Sequence, residues 1–326
     1  MDKKTLSYTA ASNEFPLKIL LNKEIMEALN EKEIIPFHVQ FNFTNRCPLS
    51  CEWCSCSNRE KDKEMPLERV PEIITTFKKL GMKSSTLTGG GETLAHQNIN
   101  EIISFLNFND IKIGVVTNGV LIKRLSGRSL GSIIWMRISL GDGRICNDNY
   151  WRSIEDVVSK GRKIDFSFSY VVTSDPDFKL IREVTEFANR NNFTHIRIVN
   201  DILNADTIDI EPVKKFLKES NIDDKLVIYQ DRRSWSKGRE KCWISLLKPV
   251  VDVDGYLLPC CGTQYALDKP SRDYERLMRM GKVEDIEMIM EQKRCFNGKN
   301  CVKCYYDNYN QLLDLLLEDI KHKEFI

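Results

Sequence analysis

Cys47, Cys51 and Cys54 fall within eight residues, Cys47-Pro48-Leu49-Ser50-Cys51-Glu52-Trp53-Cys54, directly after the extended run His38-Val39-Gln40-Phe41-Asn42-Phe43-Thr44. One loop offering three thiolates can hold three irons of a cubane cluster. Unlike the four-cysteine sets of most ferredoxins, it leaves the fourth iron without a protein ligand. An open iron is a place where a cofactor can bind. Two plainer readings stand beside this one. A zinc knuckle would use thiols too, although zinc sites usually group them as paired Cys-x2-Cys units; the three could also be unrelated buried thiols. Cys56 lies two residues past the motif and falls outside its spacing.

A second chemical feature is Leu87-Thr88-Gly89-Gly90-Gly91-Glu92-Thr93-Leu94. Consecutive glycines let backbone approach a partner closely, and Glu92 supplies an acceptor. Alone, such a triplet reads as a turn; one strand and helix after the cysteine loop it gains weight. Cysteines return in the last third, as Cys242, Cys260 and Cys261, then Cys295-x5-Cys301-x2-Cys304. Asp254-Gly255 is a hairpin signal, so two strands can carry Cys242 and Cys260 toward one site. With the close pair Cys301 and Cys304, four thiolates suffice to close a cluster; chemically they also suit zinc.

The Cys-x3-Cys-x2-Cys loop followed by Gly90-Gly91-Glu92 resembles the radical S-adenosylmethionine (radical SAM) superfamily. The resemblance implies a [4Fe-4S] cluster on Cys47, Cys51 and Cys54. SAM chelates its unique iron and is cleaved reductively to methionine and a 5'-deoxyadenosyl radical. It also implies an external electron donor such as flavodoxin or ferredoxin. Trp53 takes the usual aromatic position beside the adenine, Gly90, Gly91 and Glu92 take the SAM amino group, and Ser139 resembles the SAM contact on the fourth strand. Where many relatives have proline after the glutamate, this chain has Thr93. The last third resembles the Twitch and SPASM extensions. Six cysteines follow residue 240, fewer than the seven of a full SPASM extension, which favours the one-cluster Twitch form with Cys242, Cys260, Cys301 and Cys304 as ligands. Cys261 and Cys295 are then spare. In peptide epimerases of this superfamily a cysteine near the auxiliary cluster gives a hydrogen atom to a carbon radical, the role expected here of Cys261; its plain alternative is a packed thiol.

The elements that must position these residues recur as six extended runs, at 38–44, 85–89, 112–118, 135–140, 165–172 and 195–201. Helical patterns lie between them, such as Val70, Ile73, Ile74, Phe77 and Leu80. Strand and helix alternation predicts a parallel sheet. The resemblance makes it a partial (β/α)6 barrel with a small C-terminal β-hairpin plus helix, an α/β fold. In such barrels chemistry sits at the carboxyl ends of the strands, where Cys47 to Cys54, Gly89 to Glu92 and Thr117-Asn118-Gly119 all fall. Alternation places Arg137 with Ser139 on one strand face, and Ser167 with Ser169 on another, which implies a polar lumen. Arg137, Ser169, Arg197 and Asn118 are candidates for SAM or substrate contacts, or ordinary hydrogen-bonded residues near strand ends. Three parts are expected: an N-terminal helical extension (1–35), the barrel (36–225) and an auxiliary-cluster domain (226–326). Leu17 to Leu29 and Tyr309 to Phe325 read as amphipathic helices packed on the core.

With 326 residues, 42% of them hydrophobic, the chain can fill one large core and a smaller one. The 48 basic and 47 acidic residues are intermixed, net charge +1, so no electrostatic footprint of a nucleic-acid partner appears. The N-terminus lacks an apolar secretion segment and no stretch approaches a membrane span; a cytoplasmic protein is expected. Eleven cysteines, an odd number, favour metal ligation plus free thiols over a disulfide scaffold. Substrate class rests on family analogy. It favours a ribosomally made peptide, epimerised or oxidatively cross-linked. The short stretch before the cysteine loop leaves no room for a separate leader-binding domain, which favours the alternative, a small molecule such as an aminosugar, cyclitol or nucleoside. A metal-binding scaffold without catalysis is the non-enzymatic reading.

Overall fold

The computed structural model describes residues 16–233, 235–266 and 277–321. All six extended runs form strands: β1 (His38–Phe41), β2 (Ser84–Leu87), β3 (Lys112–Thr117), β4 (Ile133–Gly141), β5 (Asp165–Val172) and β6 (His195–Asn200). They pair in parallel in sequence order, and the parallel run carries one strand more, β7 (Val227–Gln230), on the outer side of β6. The hairpin β8 (Val250–Val251) and β9 (Tyr256–Leu258), extended by β10 (Gly281–Lys282), joins the same sheet. β8 lies parallel to β1, giving the order β10-β9-β8-β1-β2-β3-β4-β5-β6-β7. β1 is therefore shared, with the barrel on one side and the C-terminal hairpin on the other.

The two faces of the barrel strands differ as alternation predicts. On β4, Met136, Ile138 and Leu140 are fully buried among apolar neighbours, while Trp135, Arg137 and Ser139 are half-buried on the opposite, lumen face. Helices cover the apolar face. Val70–Lys79 buries Ile73, Ile74 and Phe77, and Phe178–Arg190 buries Ile181, Val184 and Phe187 beside the stacked rings of Phe168 and Phe193. Each fully buried apolar side chain contributes about 1.5–3 kcal/mol. This apolar layer is what holds the polar lumen residues in register.

The hairpin turn is fixed by its own residues. Gly255 sits at φ +83°, its N–H donates to Asp252 O at 3.0 Å, and Asp252 Oδ1 accepts from the N–H groups of Asp254 and Tyr256 at 3.0 and 2.8 Å. Arg69 Nη1 donates to Asp254 O at 3.2 Å, and a Cβ on Gly255 would meet Arg69 Nη2 at 2.6 Å. A side chain there would push off the arginine that clasps the turn to the barrel.

Two terminal helices depart from the sequence pattern. The stretch from Leu17 forms Leu17–Leu20 and then Lys23–Asn30. The break comes at Asn22, whose Oδ1 caps the second helix by accepting from Ile25 N–H at 3.0 Å. The last helix, Asp307–Leu317, buries Leu313 against the core but stops before Ile320, which is exposed; Phe325 lies outside the described residues. Among the described residues no helix is long and apolar enough to cross a membrane.

Candidate functional site

The cysteine loop leaves the carboxyl end of β1 and is pinned from below by the glycine triplet. Gly91 N–H donates to Thr44 O and Glu92 N–H to Arg46 O, each at 2.8 Å, so the triplet holds the stem that leads into Cys47. The glycines are required by that approach. A Cβ on Gly91 would lie 2.1 Å from Arg46 O, and one on Gly90, at φ +66°, 2.5 Å from Asn45 Oδ1. The side chain of Glu92 is buried and fully engaged. Oε1 accepts from Leu94 N–H at 3.0 Å and from the Thr117 hydroxyl at 2.6 Å, and Oε2 accepts from Asn118 N–H at 2.6 Å. Burial pushes its pKa up, against those three donors and Arg144 nearby. Glu92 thereby ties the glycine turn to the end of β3.

Asn118, set in place by that bond, extends its Nδ2 to 3.6 Å from Cys47 Sγ. Its carbonyl accepts from Arg144 Nη2 at 2.8 Å and from the Tyr150 hydroxyl at 3.1 Å. Cys47 is exposed and Cys51 and Cys54 are half-buried, so the loop presents its thiols at an open rim. Trp53 packs on the end of β4, donating from Nε1 to Asp142 O at 3.3 Å; a Cβ on Gly141 would meet its ring at 2.6 Å. Asp142 is itself held by the Tyr170 hydroxyl at 2.6 Å and by the N–H groups of Thr173 and Asp177 at 2.6 and 2.8 Å. Cys56 faces Cys54. The hydrogen bond between these two thiols is the main reason that Cys56 is pulled below, and Cys54 pushed above, the ordinary thiol range.

The second cysteine set converges from separated segments. Cys242, Cys260, Cys301 and Cys304 line one cavity; Cys261 and Cys295 are beside it but not among its lining. Two crossing backbone segments build the cavity wall. Cys242 N–H donates to Phe296 O at 3.0 Å, Cys304 N–H to Ser236 O at 2.9 Å, and Gly238 N–H to Cys301 O at 2.8 Å. A Cβ on Gly238 would lie 2.1 Å from Gly298 O, so the crossing depends on that glycine. Gly262 N–H donates to Cys260 Sγ at 3.3 Å and Asn310 Nδ2 to Cys242 Sγ at 3.8 Å. Burial first, and neighbouring thiols second, push Cys242 up to about 12 and Cys301 up to about 11. The donor set, four thiols with N–H groups aimed at two of them, fits a thiolate-ligated cluster. Among the described residues no three Cys, His, Asp or Glu side chains are drawn together as tightly as one metal ion requires; the four thiols surround a shared space.

Residues 41–133, from β1 through the cysteine loop and the glycine triplet to the start of β4, match the radical SAM superfamily model. This stretch of the chain is similar to the radical SAM superfamily. Over 119 residues it is 29% identical to the subtilosin biosynthesis protein AlbA of Bacillus subtilis, covering 36% of this chain and 22% of that protein. Over 92 residues it is 36% identical to a probable GTP 3',8-cyclase of Methanothermobacter marburgensis, covering 27% and 29%. The chain thus spans less than a third of either curated relative. In fold it resembles SuiB of Streptococcus suis bound to the precursor peptide SuiA. The TM-score is 0.58 at 16% identity, over 96% of this chain and 80% of SuiB. SuiB bound to S-adenosylmethionine aligns with TM-score 0.55 at 17% identity, over 97% and 83%.

The structure brings the sequence candidates into two groups. Trp53, Gly90, Gly91, Glu92 and Asn118 gather around Cys47, Cys51 and Cys54. Ser139, Ser169 and Arg197 face the lumen in adjacent register, with Arg137 one step nearer the floor. Cys261 Sγ lies 3.3 Å from the Tyr306 hydroxyl, next to the second cavity. Sequence reasoning missed Arg144, which holds Asn118 from 26 residues away, and Asn310, which reaches Cys242 across 68 residues. It also missed Tyr306 and Arg232. None carries a local spacing signal; each acquires its role through long-range packing.

Proposed function

We propose that this chain is a radical SAM enzyme acting on a ribosomally made peptide, with a SAM-binding [4Fe-4S] cluster on Cys47, Cys51 and Cys54. A second [4Fe-4S] cluster would be held by Cys242, Cys260, Cys301 and Cys304. The observation that carries the reading is the pair of separate thiol sets, one on an open loop pinned by the glycine triplet and one around a cavity. When bound, the first cluster and SAM supply a radical able to remove a hydrogen atom from substrate. The peptide is supported by fold likeness to SuiB, whose structure holds a precursor peptide. The proposed organisation is an extension (1–35), a barrel (36–225) and an auxiliary-cluster region (226–326), in a cytoplasmic protein served by an external electron donor.

The residues divide the work. Glu92 and Arg144 fix Asn118 beside Cys47, Trp53 forms a flat wall over Gly141, and Ser139 with Ser169 offers hydroxyls on the lumen face. Cys261 is the group that would donate a hydrogen atom in an epimerisation. The thiol gives its hydrogen to the substrate carbon radical, and the resulting thiyl takes an electron from the external donor and a proton from solvent. Oxidative cross-linking needs no such donor, so Cys261 separates the two outcomes. A nucleotide substrate is the second reading, favoured by likeness to a probable GTP 3',8-cyclase.

The test is anaerobic incubation of reconstituted, dithionite-reduced protein with SAM, and with any short peptide encoded beside its gene. Formation of 5'-deoxyadenosine together with a mass or stereochemical change in the peptide supports the reading. Absence of SAM cleavage rejects the enzyme, and cleavage stimulated by GTP but by no peptide moves the substrate to the second reading.

A further inference from the structure

Arginines crowd the lumen where β4, β6 and the segment after β7 meet. Arg197 Nη2 donates to Ser169 Oγ on the neighbouring strand at 3.3 Å. Arg232 follows β7 closely. Its backbone N–H donates to Asn200 Oδ1, at the end of β6, at 2.9 Å, and its guanidinium lies 5.3 Å from the centroid of the Tyr305 ring. Arg137, on β4, stands 5.3 Å from the Trp135 ring. Burial is the main cause lowering the Arg197 pKa, and the positive charges of Arg137 and Arg232 add to it.

What surrounds these charges is a surplus of donors. Arg197 Nε, Arg232 Nε, Trp235 Nε1 and the Tyr305 hydroxyl are all buried without a hydrogen-bond partner among the described residues. Trp235 and Tyr305 have ring centroids 4.4 Å apart, so the donors line one aromatic-walled corner. Burying like charges and unmatched donors together is unfavourable unless a ligand brings the acceptors. Cys261 Sγ lies 3.3 Å from the hydroxyl of Tyr306, the residue that follows Tyr305, so the thiol is on the same side of the site as this corner.

Resting on the peptide reading above, we propose that Arg197 and Arg232, with Arg137 behind them, form a carboxylate-binding site that takes an acidic side chain of the substrate peptide. Two planar guanidinium forks match a carboxylate bidentately, and Trp235 Nε1–H and the Tyr305 O–H donate to its remaining lone pairs. The site selects a substrate with Asp or Glu near the reacting residue and brings that residue next to Cys261.

The test uses reconstituted holoenzyme with SAM bound, titrated with N-acetyl-glutamic acid α-amide, N-acetyl-glutamine amide or inorganic phosphate and followed by intrinsic tryptophan fluorescence. The glutamic probe should bind saturably, at least about tenfold more tightly than the glutamine probe, as expected for loss of a charge-assisted pair. Arg232→Gln should lose that preference while raising the melting temperature, because it relieves like-charge crowding; a merely structural arginine would lower it. Should Arg232→Gln fail to fold, Arg232→Lys serves, keeping the charge but losing the fork and weakening the glutamic probe severalfold. Equal affinity for the two amides, binding of phosphate alone, or a parallel loss of SAM affinity in Arg232→Gln would each overturn the proposal. SAM cleavage measured in the same samples keeps the two readings separate: without cleavage the enzyme reading fails, whereas cleavage without carboxylate preference removes the anion site alone.

Discussion

The cysteine loop and the C-terminal cysteine cavity use the same donor atom in opposite ways. Cys47, Cys51 and Cys54 come from one loop whose first thiol is exposed, and that loop is held at its stem by Gly91 and Glu92 and further along by Trp53 on Asp142. Cys242, Cys260, Cys301 and Cys304 are brought together from distant segments by crossing backbone hydrogen bonds, and they enclose their space. An open loop leaves room for an exchangeable ligand; a closed set does not. The difference also predicts different dependence on the fold. The loop can lose its thiols with little effect on packing, whereas the cavity is part of the structure it binds.

The largest effect should separate the sites outright. Cys47, Cys51 and Cys54 changed together to Ala should abolish SAM cleavage and leave roughly four of about eight irons per chain, with little change in melting temperature. Changing Cys301 and Cys304 to Ala should remove the other four and lower the melting temperature by several degrees, since the cavity wall passes through both residues. Iron analysis and calorimetry read this directly. Loss of all iron in either variant would merge the two sites into one.

Next come the glycines that play equivalent parts. Gly91→Ala and Gly238→Ala each drive a Cβ to 2.1 Å from a backbone oxygen, of Arg46 and Gly298 respectively, and should each cost at least ~1–3 kcal/mol. Their consequences should differ. Gly91→Ala should weaken SAM binding and spare the second cluster, and Gly238→Ala the reverse, as measured by equilibrium dialysis and iron content. If both variants damage the same site, the mechanical independence of the two is wrong.

Glu92 sharpens the comparison on the open side. Glu92→Ala leaves the Thr117 hydroxyl and the Asn118 N–H without their acceptor, so stability should fall by about 1–3 kcal/mol in urea unfolding and SAM affinity should weaken as Asn118 loosens. A folded variant of unchanged stability and SAM affinity would show that the carboxylate neither ties β3 nor positions the site.

The smallest effect lies on β1, the strand both regions share. His38 sits in the lumen with Nδ1 2.8 Å from Ser84 Oγ and Nε2 3.0 Å from Thr86 Oγ1. Burial, then Lys248 and Lys18, hold its pKa down from 6.5 to about 3. The folded pKa is below the unfolded one, so the stabilisation is full above the unfolded value and is lost as pH falls from there toward the folded one. His38→Gln should flatten the acid limb of the stability profile; an unchanged limb would place the acid sensitivity elsewhere.

The open site was legible in the sequence because its parts are local. The cysteine spacing and the glycine triplet each fit within eight residues, and both lie at strand ends that alternation already marks. The closed site was legible only through its Cys-x2-Cys pair and the Asp254-Gly255 turn. The crossing of the segments around Gly238 and Gly298, which makes the cavity, has no periodic signature. β7 escaped notice because Val227-Ile228-Tyr229-Gln230 is a short run in polar surroundings, defined by pairing with β6 rather than by pattern. Asn22 shows the reverse case. A helix cap was present in the sequence, but the apolar periodicity on both sides of it masked the break.

The central claim, that only the loop site is open to SAM, is tested most directly by electron paramagnetic resonance of the reduced, reconstituted protein with and without SAM. In the wild type, SAM should perturb one of two [4Fe-4S] signals. In the Cys47, Cys51 and Cys54 triple alanine variant, the remaining signal should be indifferent to SAM. A residual signal that shifts on SAM addition would place the open iron in the C-terminal cavity and contradict the account.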